Sequence, residues 1–124
     1  MKKLLILLFL LFPMVAEAQN WFIADAVCIE ANKESSGWQD CRARIFVDNG
    51  GNIKIFTADN TLVYRRIGEH STHNTSNGDK SMSWPCVDDE GIKCYVSFDI
   101  IEGTSFLMLD YSDFCVIYHI EYDE

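Results

Sequence analysis

"WPCVDDEGIKCYVSFDI", residues 84 to 100, carries the pattern on which the fold turns. Beyond Gly91 the apolar residues Ile92, Cys94, Val96, Phe98 and Ile100 alternate with Lys93, Tyr95, Ser97 and Asp99. A period of two sends one set to a buried face and the other to water, the mark of a half-buried strand. Asp88-Asp89-Glu90-Gly91 ahead of it is turn chemistry. A three-residue loop at Asp89-Glu90-Gly91, with Gly91 left-handed, sets Asp88 against Ile92 and Cys86 against Cys94. Facing residues in an antiparallel pair stand about 4.5–5.5 Å apart at Cα, inside the window a disulfide needs. The stretch therefore predicts a hairpin stapled by a Cys86–Cys94 bridge.

The same alternation runs outward from this hairpin. Cys41, Ala43, Ile45 and Val47 alternate with Arg42, Arg44 and Asp48, and Phe114, Val116, Tyr118, Ile120 and Tyr122 with Cys115, Ile117, His119 and Glu121. Eight strands are expected, near 21–29, 38–48, 52–57, 61–67, 82–87, 92–100, 104–110 and 114–122. If Ile45 and Val47 share a face with Ile53 and Ile55, residue 48 lies opposite 52 and Gly51 takes the left-handed position of a bulged turn. Asp59-Asn60 and Ser112-Asp113 mark further tight turns. "GEHSTHNTSNGDKS", residues 68 to 81, is polar throughout and reads as a long loop dividing two groups of four strands. Short links favour neighbouring antiparallel strands. The fold class is all-β, an antiparallel meander of seven to eight strands forming a small barrel or a sandwich.

"MKKLLILLFLLFPMVAEAQN" opens the chain as an export signal. Lys2 and Lys3 precede an unbroken apolar run from Leu4 to Phe12, and Ala16 and Ala18 supply the small residues before a cut. The run is far short of the about 20 residues a spanning helix takes, so no membrane anchor is expected. The expected organisation is a signal peptide over 1–18 and a single all-β domain over 19–124, secreted or periplasmic. The formal net charge is −9. That balance disfavours nucleic acid and anionic membrane surfaces as partners and favours solubility.

All five cysteines lie beyond the signal, and an oxidising compartment favours pairing. Cys28 and Cys41 would face each other if the first two strands form a hairpin around "ANKESSGW", giving a second bridge. Cys115 is left as a free thiol, buried in the core or available for an intermolecular bridge.

Candidate chemistry is sparse. Asp88, Asp89 and Glu90 invite a calcium reading, but the alternating acidic loop with a distal Glu is absent. His70 and His73 lie in a Ser/Thr/Asn/Gly loop with nothing to complete a tetrahedral site. Asn74-Thr75-Ser76 is an N-glycosylation acceptor sequence. No nucleophile elbow, phosphate loop or cofactor fingerprint occurs, so no catalytic residue, metal or cofactor is expected. Trp21, Trp38, Trp84, Tyr95, Tyr111, Tyr118 and Tyr122 either fill the core or form a partner surface or barrel mouth.

The order of Trp38-x-Asp40-Cys41, "IKIFT", "LVYRRI", "WPCVDDEGIKC" and "LDYSDFCVIYHI" resembles a group of short exported bacterial proteins of no established function. In that group Cys-x-Asp-x-x-Gly-x-x-Cys hairpins and a Tyr-x-Asp…Tyr-x-Ile ending recur. The resemblance implies the hairpin and no active residue. The expectation is a small exported binding or interaction module without enzymatic activity, an inhibitor of a secreted hydrolase being one form. The alternative is a lipocalin-like carrier of a small apolar ligand. Its partner would be an extracellular or periplasmic protein or a small ligand.

Overall fold

The computed structural model describes residues 20–75 and 77–123. The export signal lies outside the described residues, as does Ser76 of the glycosylation sequence. The chain forms strands β1 (Asn20–Ala31), β2 (Glu34–Ser35), β3 (Gln39–Val47), β4 (Ile53–Phe56), β5 (Thr61–Arg66), β6 (Ser71–Asn74), β7 (Lys80–Asp88), β8 (Lys93–Ile101), β9 (Thr104–Asp110) and β10 (Cys115–Tyr122). All neighbours pair antiparallel, and β10 returns to pair with β1. The fold is therefore a closed eight-stranded barrel, with β2 and β6 added outside its circuit. Closure removes the open edges that a sandwich of the same strands would keep.

The turns formed as their residues dictate. Val47 faces Ile53 and Ile45 faces Ile55, with Gly51 at φ 86°. Cys86 faces Cys94, with Gly91 at φ 83°. The two loops share one construction. Asp48 Oδ1 accepts from the backbone N–H of Gly50 and Asn52 at 2.8 and 2.9 Å. Asp88 Oδ1 accepts from Glu90 and Ile92 at 3.0 and 2.9 Å. In each, the carboxylate satisfies N–H groups that the tight loop turns away from the ladder.

Ala43, Ile45, Val47, Cys94, Val96, Tyr118 and Ile120 point inward and pack with Phe22, Ala24, Tyr64, Trp84, Leu107 and Leu109 into one core, whereas Ile92, Phe114 and Tyr122, at strand ends, are exposed. Trp84 crosses the interior, its Nε1 donating to the Gly51 carbonyl at 2.9 Å. The tryptophans divide between the two proposed roles. Trp84 fills the core, whereas Trp38 is 53% exposed and Trp21 packs against Phe46 and Phe56 with Arg44 over its ring.

Two expectations are corrected. The 68–81 segment is not a simple loop: Ser71–Asn74 is a strand that pairs with the first half of β7, from Ser71 opposite Ser83 to Asn74 opposite Lys80. Thr and Asn residues that look like linker composition here meet a partner strand, and pairing overrides propensity. Cys28 and Cys41 do not face each other. Asn32 and Lys33 turn the chain with φ 54° and 66°, and β2 folds back on β1 before β3 begins. This detour shifts the register so that Ala26 meets Asp40 and Val27 meets Gln39. Cys41 packs on the interior, while Cys28 lies opposite the outward Ile117 with Sγ 3.1 Å from Ser35 Oγ. The barrel wall separates them.

Candidate functional site

Strands that alternate up and down place the connections at two ends. Residues 32–37, 57–60, 89–92 and 111–114 cluster at one end, and residues 48–52, 67–79 and 102–103 at the other.

At the first end the barrel is tied by hydroxyls. Tyr111 donates to Asp88 Oδ2 at 2.9 Å, and its oxygen lies 3.5 Å from that of Tyr64. Burial pushes Asp88 up, but the N–H of Ile92, the Tyr111 hydroxyl and the N–H of Glu90 outweigh it, leaving the carboxyl below its usual range. Asp88 is thus committed to the turn and to Tyr111, which leaves the calcium reading without its central ligand. Beneath lie Cys86 and Cys94, 0% and 4% exposed. All five cysteines are free thiols in the structure. Burial, then the neighbouring Cys94, pushes Cys86 up to about 12. Burial pushes Cys94 up to about 11, and Cys115 to about 11, with Asp110 and Glu30 adding to it. A thiol with a raised pKa stays protonated at neutral pH and is a poor nucleophile.

At the second end the barrel stays open. A cavity of about 290 Å3 is lined by Phe22, Met82, Phe98, Ile100, Ile120 and Tyr122, with Thr72, Asn74, Lys80 and Ser105 at its polar margin. The rings form one set: Phe22 lies 5.5 Å from Phe98 and 4.7 Å from Tyr122, and Phe98 lies 5.7 Å from Trp84. The β6–β7 hairpin makes one wall, so the segment read as a linker supplies Thr72, Asn74 and Lys80. Of the aromatics singled out in the sequence, only Tyr122 and, through Phe98, Trp84 belong here. Phe98 was legible as an inward strand residue, but its meeting with Phe22 requires closure of the barrel.

The outer wall carries two further features. Trp38 lies along it, its ring 6.1 Å from Phe106, which is 6.0 Å from His119. His119 Nδ1 stands 2.6 Å from Asp25 Oδ1, and Glu121 completes a trio whose donor atoms lie within 4.8 Å of one another. His70 and His73 remain exposed on the added hairpin and join no such group among the described residues.

No protein-family model, no curated protein and no solved structure matches the chain. The functional reading therefore rests on the barrel's own geometry.

Proposed function

We propose that this chain is an exported, non-enzymatic binding protein whose barrel mouth takes one small, largely apolar molecule. The observation that carries it is the ring-lined cavity formed by Phe22, Phe98 and Tyr122. Ligand sites are typically concave and apolar with a few placed polar groups, and barrel mouths are a favoured location. The interior beneath is packed, so the ligand sits in the mouth rather than deep in a calyx. Lys80 and the Asp99 carboxylate both border the cavity, so its polar margin carries both charges.

Decanoate titrated calorimetrically against the purified chain tests this. The expected result is saturable binding at one equivalent, lost in Ile100→Trp, which fills the mouth, and retained in Trp38→Ala. Unsaturable binding, or loss in Trp38→Ala with Ile100→Trp unaffected, overturns it. The latter outcome would favour the second reading, a protein partner docked on the outer wall at the exposed Trp38, beside the half-buried Phe106.

Export also bears on the thiols. Cys86 and Cys94 face each other directly, and we assign them a bridge in an oxidising compartment. Exchange requires a thiolate, so this bond forms before the barrel buries them. Peptide mapping of exported protein without reductant should recover 86 and 94 as one linked pair; either one found as a free thiol refutes it.

A further inference from the structure

We infer that Asp25, His119 and Glu121 form a binding site for a divalent transition ion of the zinc class, clasping β1 to β10 where the barrel closes. His119 and Glu121 are two apart on β10. Residues at that spacing share a face and stand about 7 Å apart along the strand. The gap between them is filled by an irregularity of β1. His119 pairs with Ala26 and Ile120 with Ala24, so Asp25 is an extra residue with no partner on β10. A bulge of this kind re-aims a side chain. Ala24 stays in the core, and Asp25 turns out to the exposed face between the imidazole and the second carboxylate.

The three donor atoms already lie within 4.8 Å of one another, with the Asp25–His119 contact at 2.6 Å. One imidazole and two carboxylates suit zinc-class ions, and three protein ligands leave a position for water. The neighbouring cation does not compete for Glu121: Arg44, across Ile23 in the same row, is held by Asp123 at 3.1 Å. Arg42, outward on β3, makes no ion pair among the described residues. An ion bound here would join the first barrel strand to the last, so it stabilises the folded state by mass action.

The test is calorimetric titration of the purified chain with Zn2+ alone, together with thermal unfolding and Co2+ absorption spectra. The expected result is one equivalent bound and a midpoint raised by several degrees. Visible cobalt bands should appear without thiolate charge transfer. Asp25→Asn, Glu121→Gln and His119→Ala should each weaken binding at least tenfold. Cys115→Ser and the double variant His70→Ala/His73→Ala should bind as the parent does. The site is overturned by binding no tighter than millimolar, by a cobalt spectrum with thiolate charge transfer, or by loss of binding in either control. It is equally overturned if Asp25→Asn and Glu121→Gln, both of which leave the core untouched, bind zinc like the parent.

Discussion

The two ends of this barrel are built from the same strands and finished in opposite ways. At one end Tyr111 is bonded to Asp88 and lies beside Tyr64, above two facing cysteines. At the other, Phe22, Phe98 and Tyr122 surround a cavity whose walls meet mainly through rings, with Ser81, Ser97 and Asp99 hydrogen-bonded along one side. Hydrogen bonds are directional and costly to leave unmade when buried, so the tied end is fixed. Apolar contacts are non-directional, so the open end can yield to an occupant. The contrast separates stability from recognition along one axis.

The largest expected effect is at the residue between the two ends. Trp84→Ala should cost about 3–5 kcal/mol, read by urea unfolding, because it removes a core ring packed on Phe98 and the bond to Gly51. A cost near zero would mean the two ends do not share a core. Next, Gly51→Ala and Gly91→Ala both force a side chain into left-handed backbone, at about 1–2 kcal/mol. They should differ in a telling way. A Cβ at Gly51 would meet Arg66 Cδ at 2.7 Å, whereas one at Gly91 meets nothing within 4 Å. Gly51→Ala should therefore be the costlier, and equal costs would show that the backbone strain decides.

Asp88→Ala should cost about 1 kcal/mol by freeing the turn N–H groups and the Tyr111 hydroxyl. The pH dependence follows from the lowered Asp88 carboxyl. A group held below its unfolded value stabilises the fold above that value, about 3.9 for Asp. That contribution is lost as pH falls through the folded value. The parent should lose stability on acidification more steeply than Asp88→Asn, and superimposable acid curves would break the assignment of Asp88 to the tied end. The smallest stability effect belongs to the mouth: Tyr122→Ala, at a residue 47% exposed, should change stability by no more than about 1 kcal/mol while weakening decanoate binding. Recognition unaffected by that change would move the ligand elsewhere.

What the sequence revealed followed the range of the interaction. Asp48 to Asn52 and Asp88 to Ile92 are local turns, and their glycine positions and registers are legible because a few adjacent residues determine them. Strand faces were legible from alternation. The first hairpin was misregistered because Asn32-Lys33 and the short β2 consume residues that a symmetric loop would have left in the ladder. The mouth and the Asp25–His119–Glu121 trio were not legible. Both depend on β10 meeting β1, and Asp25 breaks the period that makes strands readable. His119 and Glu121 at a spacing of two were the one local signal, and it points to a ligand set only when a third donor is known.

The pairing of β10 with β1 also bears on how the barrel folds. Cys115–Tyr122, far along the chain from its partner, is the strand that covers the outer edge of Asn20–Ala31. Until it arrives, a twelve-residue edge bearing Phe22, Ile23, Val27 and Ile29 is open to pairing with any other extended chain. The chain is therefore most vulnerable to aggregation for as long as β10 has not docked on β1. Truncation within the last strand should accordingly be far more damaging than its length implies, yielding insoluble chains rather than a slightly smaller barrel.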